Sequence, residues 1–440
     1  MSNWERKSIR ELINHHASGP SPTCEERPIA SSDEWGLLKT TAVTWNGWNP
    51  NAHKVPPRLF WGKYFLEVKK GDVLITKAGP RERCGVSVYV QQTPPRLMVS
   101  GKMILLRPDT NKINSIVLSG ILASEKCQKQ LDSKTTGMAD SQLNFTNELL
   151  LSMLIEFPPL PQQRKIAKIL TTVDNLIEKT ESLIAKYQSI KQGMMHDLFT
   201  RGVDAKGKLR PPQSDAPELY KQSELGWIPK EWEVDELKNR LISIDAGWSP
   251  ECIERPPTTG EWGILKVSAV TKGLYLAEES KTLPTQLKPK PLIEVKPNDV
   301  LVARSNGVSE LVGVTVFVDK TQERLMLSDK IMRLKVDERF LTSKYLAEIM
   351  KTSEIRKQIE QVISGSSGQK NISQEEIKSL TIKFPPVAEQ RNISLILNSL
   401  KNQIQQEFNV NRIMKNLKTA LMQDLLTGRV QVTPDAEDKE

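Results

Sequence analysis

Few residues in this chain have types and spacings that could make or break bonds. A DNA adenine methyltransferase holds its extruded base with an Asn- or Asp-Pro-Pro-aromatic element, and the chain has two Pro-Pro pairs, Pro158-Pro159 and Pro385-Pro386. Both follow phenylalanine and precede Leu160 or Val387, so they read as helix-entry prolines, whose missing N–H is no loss in a first turn. No GxxxxGKS/T phosphate loop is present, which leaves ATP hydrolysis without a seat. Pro434-Asp435 with Glu437 and Lys439 has nuclease-like residue types, yet it sits in a charged terminal stretch with no room for a strand between its parts. His15, His16, His53 and His196 lack metal-ligand spacing, and Cys24, Cys84, Cys127 and Cys252 form no CxxC pair. No catalytic residue and no metal site are expected.

Binding of a charged partner is the other chemistry to weigh. The net charge of +9 and pI near 9.1 favour a polyanionic partner. On DNA, Lys and Arg would bind phosphate while a few side chains reach base edges. The stretch Trp45 to Lys63 interleaves aromatics with polar and basic groups, and Trp48, Asn49, Lys54, Arg58 and Lys63 are its candidates. Its counterpart, Lys272 to Lys290, reads GLYLAEES and then turns basic, offering Lys281 and Lys288. A second set follows two DVL runs: Lys77 aligns with Arg304, and Arg81 and Arg83 face Ser305 and Asn306. Arginine on guanine and asparagine on adenine are each worth about 1–3 kcal/mol of discrimination. Lys39 and Lys266, common to both places, suit phosphate binding or a structural role. The bland alternative for any one of these residues is a solvated surface loop.

Such residues need elements to hold them, and the chain supplies those twice. FPPLPQQRKIAKIL from Phe157 recurs as FPPVAEQRNISLIL from Phe384, 227 residues later, and the register holds without a gap to Asp197 and Asp424. Apolar residues recur at coiled-coil spacing: Ile166, Val173, Tyr187 and Met194 on one rail, Ile169, Leu176, Leu183 and Ile190 on the other. The second copy has Ile393, Leu400, Met414 and Leu421, with Ile396, Ile404 and Leu417 beside them. Two long paired helices follow. From Pro161 to Leu198 the rise is about 57 Å at roughly 1.5 Å per residue.

The duplication extends upstream. Trp4-Glu5, Gly19, Ser21-Pro22, Cys24 and Glu26-Arg27-Pro28 match residues 228 positions later. Glu34-Trp35-Gly36, Lys39, Val68-Lys69 and Asp72-Val73-Leu74 match at 227, and the repeated tryptophan beside strand-like runs reads as core. So long a period means duplicated domains. Runs such as DVLITKAG, VSVYV, LMVSGKMILLR, DVLVARSNG, VGVTVFV and LMLSDKIMRLKV predict strands, and helical patterns follow, clearest from Ser343 to Ile363. The fold class is α+β: two tandem-repeated globular α/β domains with two long helices. The organisation is a first globular domain over 1–156, a long helix over 157–200, a linker over 201–231, a second globular domain over 232–383, a second helix over 384–430 and an acidic tail over 431–440. Within the linker, Arg201 to Glu224 is polar and suits an exposed connection, and the tail is expected to fray. No apolar run approaches 18 residues and Met1 to Arg10 is polar, so a cytoplasmic location is expected.

These features together resemble a family. The doubled FPP…QR…I block with its long helix ending near Arg201-Gly202 or Gly428-Arg429, and the phrase ELGWIPKEWEV before the second domain, look like the specificity subunit of a type I restriction-modification enzyme. The weaker counterpart of Gly368-Gln369 and Asn371-Ile372 is Ser141-Gln142 and Asn144-Phe145. The resemblance implies two target-recognition domains, each reading one half of a bipartite site in double-stranded DNA. It implies methylation subunits and restriction/translocase subunits as partners, which use S-adenosylmethionine, ATP and Mg2+ while this chain binds no cofactor and is not catalytic by itself. Antiparallel helices would set a pseudo-twofold and fix the half-site spacing. Two other readings compete: a protein-binding coiled-coil scaffold, and a free-standing DNA-modifying enzyme.

Overall fold

The computed structural model describes residues 3–45, 47–133, 143–365 and 368–435. Ser141, Gln142, Glu437 and Lys439 lie outside the described residues. The chain divides into two compact units, residues 1–182 with 408–440 and residues 183–407. In unit 1 a four-stranded antiparallel sheet is formed by β1 (Ile13–Ala17), β2 (Val73–Thr76), β3 (Ser87–Tyr89) and β4 (Met103–Pro108), in the order β1-β4-β2-β3. Side chains alternate across its faces. Val73, Ile75, Ile104 and Leu106 face a core shared with the helix Ser115–Ala123, whereas Leu74, Met103 and Leu105 join Leu37, Leu38 and Leu97 of a smaller sheet. Both faces are covered, which is why these strands read as unbroken apolar runs.

Unit 2 repeats this plan. Strands β5 (Leu241–Ala246), β6 (Val300–Ala303), β7 (Thr315–Phe317) and β8 (Ile331–Val336) take the order β5-β8-β6-β7. The smaller sheets also match, since Gly36–Leu38 pairs parallel with Leu97–Met98 as Gly263–Leu265 does with Leu325–Met326. One buried ion pair has shifted position. Asp72 takes Arg107 at 2.8 and 2.9 Å. Asp299, its counterpart, takes Arg333 at 3.2 Å, from a position two residues earlier on the equivalent strand. Two residues is the pleat period, so the guanidinium emerges on the same face.

The long helices are α1 (Leu160–Thr200) and α2 (Val387–Leu425). Each is tied to its domain by one glutamine with no exposed surface. Gln163 accepts from the Asn114 N–H at 2.7 Å and donates to the Pro158 carbonyl at 2.8 Å. Gln390 accepts from the Thr342 N–H at 2.8 Å and donates to Phe340 and Pro385 at 2.8 and 2.9 Å. In unit 1 the helices are antiparallel: Glu181 meets Lys415 at 2.8 Å and Asp174 meets Lys418 at 2.7 Å. The tail continues this path, where Asp435 pairs with Lys165 and Lys168.

Burial traces the seam. On α1 it follows Ile166, Leu170, Val173, Ile177, Thr180, Ile184, Tyr187, Lys191, Met194 and Leu198. On α2 it follows Ile393, Leu397, Leu400, Ile404, Glu407, Asn411, Met414, Lys418, Leu421 and Leu425. The steps alternate four and three. The expected rail of Ile169, Leu176, Leu183 and Ile190 is therefore one residue early. Leu176, Leu183 and Ile190 are 43, 39 and 39% exposed, and Leu417 is 43% exposed. Ile169 and Ile396 pack on their own domain cores. The pattern misleads because both rails are apolar for three heptads, while the true seam carries Thr180 and Lys191.

Each unit is completed by the far end of a helix that began elsewhere in the chain. Leu425 and Leu426 lie in the unit 1 core with Ile166 and Leu170. A Cβ at Gly120 would stand 2.4 Å from Leu426 Cδ1, so a helix glycine admits that leucine. Leu198 and Phe199 lie in the unit 2 core, Phe199 tilted on Tyr345 at 5.4 Å. The expected exposed linker proves to be folded. Val203, Ala216 and Tyr220 are buried, and Arg210 grips Glu389 bidentately at 2.5 and 3.0 Å. Tyr220–Ser223 forms a hairpin with Gly226–Pro229. The helical pattern from Ser343 to Ile363 is two helices, Ser343–Ile349 and Ser353–Val362, because Thr352 caps the second.

Gln390→Ala removes the partner of three backbone groups, those of Thr342 and Pro385 buried and that of Phe340 partly so, and a buried one left unsatisfied costs about 1–3 kcal/mol. We expect urea denaturation to show a loss of at least about 2 kcal/mol, against under about 0.5 kcal/mol for the exposed Gln405→Ala. Equal effects would remove the glutamine clamp from this account.

Candidate nucleic-acid interface

One inner strand of each four-stranded sheet is followed by a basic residue. Lys77 follows β2 and Arg304 follows β6, and both sit in the same backbone frame. The Lys77 N–H donates to the Lys102 carbonyl at 2.9 Å and its carbonyl accepts from Phe145 at 3.1 Å. The Arg304 N–H donates to Lys330 at 2.8 Å and its carbonyl accepts from Ile372 at 3.0 Å. Beyond them Ala78–Gly79 pairs with Leu143–Asn144, and Ser305–Asn306 with Lys370–Asn371.

Within this shared frame the side chains differ. The Lys77 ammonium donates to Ser18 Oγ and Asn147 Oδ1, both at 3.1 Å, and burial lowers its pKa. Arg304 is half-buried, and among the described residues its guanidinium has no hydrogen-bond or ion-pair partner. Ser305 is buried and accepts from Gln369 Nε2 at 3.2 Å, and Asn306 Oδ1 accepts from the Val308 N–H at 3.0 Å. Arg81 and Arg83 are exposed on the single 3-10 turn Arg81–Arg83. Trp45 comes to that turn, its indole N–H donating to the Glu82 carbonyl at 3.0 Å while 55% of the residue stays exposed. Thus one end of the Trp45–Lys63 stretch joins the loop after β2.

The other candidates spread over the smaller sheets. Trp48 donates to Gln92 at 2.7 Å with its ring partly packed on the core, and exposed Asn49 accepts from the Asn51 N–H at 3.0 Å. Lys39 and Lys54 converge on Glu26 at 2.7 and 3.2 Å. Lys266 and Lys281 converge likewise on Glu254, Lys266 at 3.5 Å. These lysines hold Glu26 and Glu254 below the usual carboxylate range. Arg58 lies 5.6 Å over Trp61 and Lys63 4.8 Å over Phe60, while Lys288 is exposed. Trp35 is buried and Trp262 half-buried, as core residues.

His53 is a satisfied core histidine: Nε2 accepts from the Ile29 N–H at 3.1 Å, leaving Nδ1 to donate to Pro50 at 2.7 Å. Among the described residues no group of His, Cys, Asp or Glu could hold a metal ion, and no helix is long and apolar enough to cross a membrane. The sequence reading passed over Lys102 and Lys330. Their recurrence 228 residues apart was the available signal.

Comparison with known proteins bears on this duplicated arrangement. The model of the type I restriction modification DNA specificity domain matches residues 62–187 and again 265–412, more than half of the chain. The chain belongs to this family. It is 29% identical over 371 residues to a putative type I restriction enzyme MjaX specificity subunit of Methanocaldococcus jannaschii, covering 84% of this chain and 80% of that one. It is 35% identical over 193 residues to the EcoEI specificity subunit of Escherichia coli, a match spanning 44% of this chain and only 32% of that subunit. The S subunit of a type I system from M. genitalium has a similar fold, with a TM-score of 0.57 at 15% identity over 96% of both chains. Each family match contains one DVL strand, one long-helix start and one basic strand end.

The Glu26 cluster yields a test. Glu26→Gln releases Lys39 and Lys54, so DNA affinity should rise and its salt dependence steepen in fluorescence-anisotropy titrations. Unchanged binding would place these two lysines away from DNA.

Proposed function

We propose that this chain is the DNA-addressing subunit of a type I restriction-modification complex, each unit reading one half of a bipartite site in double-stranded DNA. The observation that carries the reading is the pair Lys77 and Arg304: one backbone frame, built twice, ends in different side chains. Identical residues could not distinguish two different half-sites. Discrimination therefore falls to residues that differ on a common scaffold, namely Lys77, Arg81 and Arg83 in one unit and Arg304, Ser305 and Asn306 in the other. Arginine suits this role because its rigid fork matches guanine O6 and N7.

In this reading α1 and α2 set the half-site spacing and present a docking surface to methylation subunits. Those subunits use S-adenosylmethionine, restriction/translocase subunits use ATP and Mg2+, and this chain contributes the address without catalysing a reaction. Family membership, the net positive charge and the two basic strand ends support it.

The decisive experiment maps methylated adenines in a host carrying or lacking the chain. A split motif should vanish with it, and finding none would defeat the proposal. Arg304→Ala should relax or abolish recognition at one half of that motif. Equal damage at both halves would indicate a general folding defect. Inserting one helical turn near Lys179, with a matching turn in α2, should alter the spacer. An unchanged spacer would show that the helices do not measure it.

A further inference from the structure

We propose that Lys102 and Lys330 are positioning residues that grip the DNA phosphodiester backbone, one per half-site, beside the divergent Lys77 and Arg304. The inference rests on the DNA-addressing reading above and adds the contact that the two half-sites share. The lysines occupy equivalent turns, Ser100-Gly101-Lys102 before β4 and Ser328-Asp329-Lys330 before β8. Both are exposed. Each carbonyl receives the N–H of the divergent residue, at 2.9 Å from Lys77 and 2.8 Å from Arg304, so each ammonium starts one backbone hydrogen bond from the recognition position.

The turn is also pinned from its other side. In unit 1 the Gly19 N–H donates to Ser100 at 3.3 Å and the Gly101 N–H to Pro20 at 2.9 Å, while in unit 2 the Trp248 N–H donates to Leu327 at 3.0 Å. A Cβ on Gly19 would lie 1.7 Å from the Val99 carbonyl oxygen, and one on Gly247 2.2 Å from that of Leu327. No side chain fits at either place, so the glycine recurs and the turn is held rigidly.

Several other duplicated cations are already committed. Arg27 and Arg255 hold Glu34 and Glu261, Lys39 and Lys54 hold Glu26, and Lys266 and Lys281 hold Glu254. Among the described residues Lys102 and Lys330 have no carboxylate partner. The neighbouring Asp329 carboxylate is taken by the Ser249 hydroxyl. An exposed, unpaired lysine that is the same in both units cannot tell two half-sites apart. It suits what they have in common, a phosphate, which lysine binds as a point charge.

The test uses the full chain assembled with its methylation subunits and a duplex carrying the mapped motif. Kd is measured across a salt series for wild type, Lys102→Ala, Lys330→Ala, the double variant and Lys330→Arg. Each alanine should weaken binding and reduce the slope of log K against log salt by about 0.9, the double variant by about twice that. Lys330→Arg should keep the wild-type slope, and the methylated motif should stay the same in every variant. An unchanged affinity and slope in the double variant overturns the proposal. So does a changed base preference at one half-site, which would make the lysine a base reader, or loss of subunit assembly at an unchanged slope, which would make it a protein contact. Failure of the underlying reading looks different: wild type itself would then show neither a steep salt dependence nor a split motif.

Discussion

Two buried glutamine amides determine how the long helices leave their domains. A glutamine side chain carries an acceptor and two donors, and in a buried site each needs a partner. Gln163 and Gln390 find theirs in backbone groups from two directions, the loop entering a domain helix and the proline that opens their own helix. Rotating the long helix by one residue would break all of these bonds at once. The helix azimuth is thereby fixed at its first turn, and with it the face that is offered to the second helix. The Pro-Pro pair contributes stiffness to that entry, and the glutamine supplies its direction.

The seam that follows is not uniformly apolar, and its polar members serve specificity more than stability. Asn411 is buried on α2 and donates to the Ile177 carbonyl at 3.5 Å, a long bond. A buried amide on a helical seam lowers stability yet disfavours registers that would leave it facing apolar side chains. The flanking pairs are solvent-accessible, Glu181–Lys415 exposed and Asp174–Lys418 half-buried, and contribute little energy. They do place opposite charges together only in the antiparallel register. Leu198, Phe199, Leu425 and Leu426 then seal the domain cores, so helix pairing and domain folding are a single cooperative problem.

Much of this was legible in the residues. The doubled ladder from Trp4 to Asp424 announced two copies of one domain, and the DVL runs became the inner strands β2 and β6. The seam was found one residue out because Ile169-Leu170, Leu176-Ile177 and Leu183-Ile184 are adjacent apolar pairs. Periodicity alone cannot say which member of such a pair faces inward. The linker misled for another reason. Its polar composition conceals Arg210, whose ionic partner Glu389 lies 179 residues away, and long-range pairing leaves no local pattern. Among the site candidates, nothing in the local pattern of Lys39, Lys54, Lys266 and Lys281 marks their pairing with Glu26 and Glu254. The mismatch between Lys77 and Arg304 could be read, but the tethering of Lys77 by Ser18 and Asn147 could not.

That tethering sets apart two cations carried at the same place on one scaffold. Ser18 and Asn147 hold the Lys77 ammonium at two points, so it meets a ligand with little side-chain entropy left to lose but must give up existing bonds. Arg304 gives up no such bond and loses rotamer freedom instead. The two units therefore present a pre-ordered cation and an adaptable one at the same place in the fold. The same logic governs the buried charges: Asp72 and Asp299 keep their position, while the arginine that neutralises them moves by one pleat repeat, from Arg107 to Arg333. What duplication preserves here is the backbone frame and the charge balance inside it. Side chains that project from the frame are free to diverge, and the proposed reading of two half-sites with one architecture places specificity there.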